Sequence, residues 1–215
     1  MNILEIHDLW YRRSSRAEWL LREVNLSVTP GTRCAVFGAS GSGKTLLADL
    51  ITGFRKPSQG SVSLPGRVGY VTQRFTGYPD LTVAENLEFF ETVRPGNAWP
   101  QNRILRETGL QGRENQRSGS LPSNPQRMLQ LACALTTAPD LLLLDDIDSG
   151  LDSGFRTRLV SVLDQVVLDG TTVLLCTADQ GLASGCDQVC YLTGGRLRTV
   201  DAQSSGVNAG KEASL

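Results

Sequence analysis

The chain has 215 residues, 40% of them hydrophobic and 20% charged, with a formal net charge of -1. That is room for one large domain or a core with a subdomain, within the usual composition of a globular protein. The near-neutral balance excludes any bulk electrostatic argument for an anionic membrane or for nucleic acid, and no nucleic-acid partner is expected.

No apolar run, Leu141 to Leu144 included, approaches the length of a membrane span. The start, MNILEIHDLW, lacks a basic segment followed by an apolar one, so no secretory leader is expected. Five cysteines (Cys34, Cys133, Cys176, Cys186, Cys190) are scattered, odd in number and without a CxxC. They read as reduced, buried thiols of a cytosolic protein. A metal site at Cys186 and Cys190 would lack a further clustered ligand.

In chain order, RCAVF (33–37) is a short apolar run ending at a glycine-rich turn, the pattern of a buried strand feeding a loop. KTLLADLIT follows as a helix, closed near Gly53 and broken by Pro57. RVGYVTQ (67–73) is a second strand. From about Thr76 to Thr137 the pattern is helical, interrupted by Pro95, Gly96, Pro100 and a polar stretch from Gln111 to Ser120. LLLLDD (141–146) is a continuous apolar strand with two acids at its carboxyl end. FRTRLVSVLDQVVLDG places Phe155, Leu159, Val162, Leu163 and Val166 on one helical face, with Gly170 as the stop. TTVLLC (171–176) is another buried strand, and QVCYLTGGRLRTV reads as a hairpin turning at Gly194-Gly195. From about Asp201 the residues are small and polar, and residues 201–215 are predicted to be a disordered tail. Apolar strands alternating with helices argue for a mostly parallel sheet covered on both faces, with ligands at the carboxyl ends of its strands.

GASGSGKT, residues 38–45, satisfies G-x-x-x-x-G-K-[ST] between a strand and a helix. Glycines let the backbone curl so that its N–H groups converge on phosphate oxygens, and the helix directs its positive end at the same place. Gly38, Ala39, Ser40, Gly41, Ser42 and Gly43 therefore form the cradle, Lys44 supplies a cation for the outer phosphates, and the Thr45 hydroxyl suits Mg²⁺. A guanine-reading N-K-x-D motif is absent, since neither Lys56 nor Lys211 has that context. Nothing marks the acceptor site of a kinase.

The order of segments is more discriminating: the cradle, a strand ending in Gln73, an insert with YPDLTVAENLEFF, then SLPSNPQRMLQLACAL, LLLLDDIDSGLD and TVLLCTADQ. This resembles the nucleotide-binding subunit of ATP-binding cassette (ABC) transporters over nearly all of residues 1–200, and the insert is most similar to the export branch. The resemblance implies an α/β fold: a P-loop NTPase (RecA-like) core, about 1–75 and 138–200, with an antiparallel β subdomain and an α-helical subdomain, about 76–137. It implies ATP and Mg²⁺ as ligands and two nucleotide-binding subunits, head to tail, each closing over the other's ATP. A transmembrane permease subunit would be the further partner, with the chain cytoplasmic and peripheral at the inner face of the cell membrane. Residue by residue, Asp145 matches the aspartate that holds Mg²⁺ together with Thr45, and Gln73 matches a glutamine that senses Mg²⁺, the attacking water and the membrane subunit. Ser149, Leu151 and Asp152 match the D-loop, with Gly150 where alanine is commoner; Asp152 equally suits a helix N-cap.

Departures from the pattern shape the expected mechanism. Leu46 stands where a second Ser or Thr is usual and cannot donate a hydrogen bond. The catalytic glutamate position is Asp146, one methylene too short to hold water in the same pose. The histidine near the γ-phosphate falls on Ala178, and the chain's single histidine is His7 on the first strand. The segment usually reading LSGGQ is Leu121-Pro122-Ser123-Asn124-Pro125, which loses both glycines and two N–H donors. It retains a good helix start, with Asn124 suited to the N-cap and Pro125 to the first turn, and Ser123 as a single remaining donor. The adenine-stacking aromatic falls on Arg13, whose guanidinium can itself stack, while Tyr11 lies two residues earlier on the same strand face. Core burial of Tyr11 and solvation of Arg13 stand as the alternative. The expectation is an ATP-binding subunit that hydrolyses poorly, with Asp146 as a weak catalytic substitute beside Gln73, paired with a more competent, non-identical nucleotide-binding subunit. The rivals are a fully active transport ATPase and a nucleotide-gated regulator without a membrane partner.

Overall fold

The computed structural model describes residues 2–64, 66–93 and 99–200. Two sheets carry the architecture. β1 (Leu4–Tyr11), β2 (Leu21–Val28) and β4 (Gln59–Ser63) form an antiparallel sheet in the order β2-β1-β4. The larger sheet has the order β5-β6-β7-β3-β8-β9: β3 (Arg33–Phe37), β5 (Val68–Val71), β6 (Leu141–Asp145), β7 (Thr172–Thr177) and β8 (Gln188–Thr193) run parallel, and β9 (Arg196–Val200) returns antiparallel. The sheets meet where Arg22 N–H donates to the Gly195 carbonyl at 2.8 Å. A Cβ on Gly195 would stand 2.4 Å from the Leu20 carbonyl oxygen, so the hairpin needs glycine there for this close approach as well as for its φ of 76°.

The leucines of β6 explain the layering. Leu142 and Leu144 pack with Met128, Leu131 and Leu159 on one side, and Leu141 and Leu143 with Leu47 and Ala48 on the other. A strand buried on both faces reads as a continuous apolar run because alternate side chains enter different layers. Helix α1 (Lys44–Ile51) covers one face. On the other face lie α4 (Ser123–Leu135) and α5 (Ser153–Leu168), the latter burying Leu159, Val162, Leu163 and Val166 as its periodicity predicts. Helices α2 (Val83–Val93) and α3 (Gln101–Thr108) precede α4, and a short α6 (Gln180–Ser184) follows β7.

Several boundaries differ from the sequence reading. RVGYVTQ shortens to Val68–Val71, leaving Gln73 in the following loop. The predicted N-cap at Asn124 is corrected: α4 starts at Ser123, the Pro122 carbonyl accepts from Gln126 N–H, and Asn124 lies inside the first turn. Pro125 then sits among first-turn positions whose N–H has no helical acceptor, so its missing donor costs nothing. The breaks expected at Pro95 and Gly96 and the tail at 201–215 lie outside the described residues. Cys34, Cys133, Cys176 and Cys190 are buried and Cys186 partly so, all as free thiols.

Candidate nucleotide site

The glycine loop joins β3 to α1 at the carboxyl edge of the parallel strands. Gly41 and Gly43 have φ of 81° and 108°, conformations that side chains resist. A Cβ on Gly38 would lie 2.6 Å from both the Leu192 carbonyl oxygen and Ser42 Oγ, so only glycine lets the loop close against β8. The first amides of α1, at Lys44 and Thr45, have no acceptor within the helix and face outward with its positive end. Lys44 is buried, and its Nζ donates to the Gly38 and Ala39 carbonyls at 2.7 and 3.1 Å. Ala39, Ser40 and Gly41 are exposed on the rim, and Ser42 Oγ is buried without a partner among the described residues.

A cavity of about 550 Å³ opens over this loop. It is lined by Ser40 to Leu46, then by Gln73, Asp146, Ser149 and Ala178, and by Tyr11, Arg13, Leu20, Asp49 and Arg55. Of the predicted site residues, Tyr11, Arg13, Ser40 to Thr45, Gln73 and Asp146 thus line one cavity, whereas Gly38, Ala39 and Asp145 are not among its lining residues. Leu20, Asp49 and Arg55 were not singled out from sequence. Their signal was faint: Asp49 follows Thr45 by one helical turn, and Arg55 reaches back to it past the end of α1, with its Nε donating to Asp49 Oδ2 at 2.9 Å.

Asp145 ends β6 and is only 1% exposed, yet among the described residues neither carboxylate oxygen has a hydrogen-bond partner. Burial raises its pKa above the ordinary carboxyl value; the Thr45 hydroxyl, close but outside bonding geometry, and Lys44 oppose the rise, while Asp146 adds to it. An unsatisfied buried carboxylate beside a hydroxyl is the donor set of a hard divalent cation, so Asp145 and Thr45 fit Mg²⁺, with Gln73 and Thr45 lining the adjoining cavity. Asp146 leaves the strand with φ 55°, a left-handed position that aspartate tolerates. Gln73 Nε2 donates to Asp146 Oδ2 at 3.1 Å, so the two expected catalytic side chains meet directly. Ala178, at the expected histidine position, is exposed on the cavity wall, and His7 lies on β1, exposed, 3.4 Å from Glu5.

The segment at 121–125 turns inward. Asn124 Nδ2 donates to Asp152 Oδ2 at 2.7 Å, while Asp152 Oδ1 caps α5 by accepting from Phe155 N–H at 2.9 Å. Arg127 reaches the Asp146 and Ile147 carbonyls, both at 3.3 Å. The start of α4 is thereby tied to the chain's own D-loop. Gly150 in that loop has φ 74°, which accounts for glycine where alanine is commoner. Tyr11 is 9% exposed, and its hydroxyl accepts from Arg55 NH1 at 3.2 Å. Arg13 is exposed, and the neighbouring Arg12 lies over the Trp19 ring at 4.3 Å.

The ABC transporter family profile matches residues 21–149, more than half of the chain. A Fe(3+) ions import ATP-binding protein, FbpC, from Pseudomonas fluorescens is 33% identical over 92% of this chain. A macrolide export ATP-binding/permease protein, MacB, from Rhodopseudomonas palustris is 28% identical over 81% of it. The chain spans 60% and 30% of the lengths of those two relatives. Among solved structures, an ATP-binding subunit of an ABC transporter superposes with a TM-score of 0.84 at 23% identity, covering 94% of this chain and 90% of the other. A putative metal-chelate type ABC transporter gives 0.82 at 20%, covering 96% and 85%. With the phosphate loop, the buried aspartate and the two-sheet core in place, the chain belongs to the ABC transporter family as an ATP-binding domain.

Proposed function

We propose that this chain is the ATP-binding subunit of a transporter, that it holds ATP·Mg²⁺ firmly and hydrolyses it slowly, and that it works with a separate permease and a more competent second nucleotide-binding subunit. The single observation that carries the reading is the contrast within one cavity. The phosphate cradle beneath it is whole, with buried Asp145 at the end of β6 next to Asp146, whereas the side expected to activate water is built from Asp146, Gln73 and Ala178.

Asp145 and Thr45 would hold Mg²⁺, which when bound neutralises phosphate charge and polarises the terminal phosphoryl group. Lys44 exchanges its bonds to the Gly38 and Ala39 carbonyls for phosphate oxygens. Since Asp49, which also lines the cavity, is paired with Arg55, the carboxylate left to accept a proton from water is Asp146. It is short by a methylene and already bound by Gln73, and position errors near 1 Å cost about 10²-fold in rate. No imidazole stands opposite the terminal phosphate, since Ala178 offers only a methyl group. ATP then serves chiefly to bias the subunit pair toward closure.

Two further observations support the partners. Asn124 is spent on Asp152 of its own chain, which leaves little at 121–125 to grip a partner's ATP and favours a non-identical second subunit. A groove of about 380 Å³ beside the Gln73 loop is lined by Phe54, Tyr70, Phe90 and Val93, and Phe54 and Val93 are 74% and 59% exposed. Exposed apolar side chains in such a groove suit a helix of a membrane subunit, next to RFTGYPD. No described helix is itself long and apolar enough to cross a membrane. The relatives work in both directions, and the reading carries no direction of transport. Co-expression pulldown followed by ATPase assay tests the proposal: a multi-span subunit and a second cassette chain should come down together. Recovery of this chain alone, or of an active homodimer, would contradict it.

A further inference from the structure

We infer that Arg127 is the positioning residue for Asp146: by holding the Asp146 and Ile147 carbonyls it fixes the turn that aims the Asp146 carboxylate into the nucleotide cavity. The inference rests on the reading above that Asp146 accepts a proton from water, and adds the group that sets how well it does so.

Asp146 lines the cavity from a left-handed backbone position, φ 55°. Such positions persist where the surroundings over-determine them, and they cluster at functional sites. Here the peptide groups on both sides of the Asp146 Cα are held, and together they set where its Cβ points. On the preceding side, Asp146 N–H donates to the Cys176 carbonyl of β7 at 2.9 Å. On the following side, the Asp146 carbonyl accepts from Ser149 N–H at 3.2 Å, which closes a tight turn.

Arg127 reaches into that turn from α4. Its NH1 donates to the Asp146 and Ile147 carbonyls, both at 3.3 Å, so one cation ties two successive peptide groups. Arg127 is half-buried and forms no ion pair among the described residues, so these carbonyls are what its charge serves. Gln73 Nε2 holds the Asp146 carboxylate at 3.1 Å, so Gln73 and Arg127 grip opposite ends of one residue. Without Arg127 the two peptide groups are free to tilt, and displacement of a reacting group by about 1 Å costs about 10²-fold in rate.

Single-turnover conversion of bound ATP with Mg²⁺, together with ATP affinity by calorimetry, tests this on the full chain. Arg127→Met keeps the apolar stem and removes the donors. It should slow conversion about tenfold or more while ATP affinity stays within about twofold of wild type. Arg127→Lys, which keeps one charged donor group in place of the fork, should be slowed less. Added to Asp146→Asn, Arg127→Met should slow nothing further, because a positioning residue acts only through the residue it positions. A bond that served the fold alone would add its own loss. Unchanged conversion in Arg127→Met, affinity lost in step with rate, or further slowing on top of Asp146→Asn would overturn the inference while the cradle reading stands. Should Arg127→Met not fold, Arg127→Lys decides: slower conversion at unchanged affinity supports the inference, and unchanged conversion overturns it. A wild-type chain that holds ATP and converts none would overturn it too, since no proton would then pass to Asp146, and would leave the ATP-holding reading intact. Failure to bind ATP would overturn that reading and the inference with it.

Discussion

Asp145 and Asp146 are adjacent in sequence and opposite in circumstance. Asp145 carries two unpartnered oxygens at 1% exposure, while Asp146 turns out of the strand at φ 55° to meet Gln73. Lengthening the second side chain should restore reach to the attacking water. Asp146→Glu is expected to raise ATP turnover about tenfold or more, with Lys44→Ala as the blank; unchanged turnover would remove Asp146 geometry as the limit. For Asp145 the sign is fixed by burial, which holds its folded pKa above the unfolded value. Such a carboxyl takes up its proton first in the folded chain, so the stability it contributes grows as pH falls and is lost as pH rises through the folded pKa. Without nucleotide, Asp145→Asn should therefore stabilise the chain at pH 7, by about 1–3 kcal/mol. That gain should shrink as the pH is lowered. Urea denaturation at pH 7 and pH 5 reads both. With ATP·Mg²⁺ present the same substitution should forfeit the ligand's stabilisation.

At the scale of elements, α4 is the organiser. Its amino end is tied to the D-loop and the Asp146 turn, and its middle holds the loop after β5 through Gln130. The Gln130 amide, 4% exposed, donates to Thr72 Oγ1 at 3.1 Å, the Arg74 carbonyl at 2.7 Å and Thr76 Oγ1 at 3.2 Å. Gln130→Leu should cost about 1–3 kcal/mol. It should also speed amide exchange across residues 72–76, since that loop then loses its side-chain hydrogen bonds to the helix. Unchanged exchange would show the clamp to be idle. The buried strands and α5 were legible in sequence because their patterns are clean: four leucines in β6, and Leu159, Val162, Leu163 and Val166 at helical spacing. β1 was not legible by alternation. Asp8 at φ 43° and a register shift between Ile6 and Leu9 break its period, so the antiparallel sheet was reached through family likeness alone. The start of α4 was misplaced because Asn124 is a good cap in isolation, and only the fold shows its side chain drawn to Asp152.

For the whole molecule, the cavity forms where strand ends and loops of the parallel sheet meet the end of β1 from the antiparallel sheet. The cradle, Asp145 and Gln73 were readable from motif order, whereas Asp49 and Arg55 were not, because their role comes from β1 being folded beside α1 and has no local pattern. On the proposed reading, the molecule keeps what holds a triphosphate and has altered what cleaves it. The most direct test is single-turnover incubation of purified chain, in excess over radiolabelled ATP with Mg²⁺, followed by recovery of the bound nucleotide. Bound nucleotide recovered as intact ATP long after an ordinary enzyme, turning over at about 10 s⁻¹, would have consumed it is the expected result. Rapid conversion to ADP and phosphate, or no retained nucleotide, would contradict it.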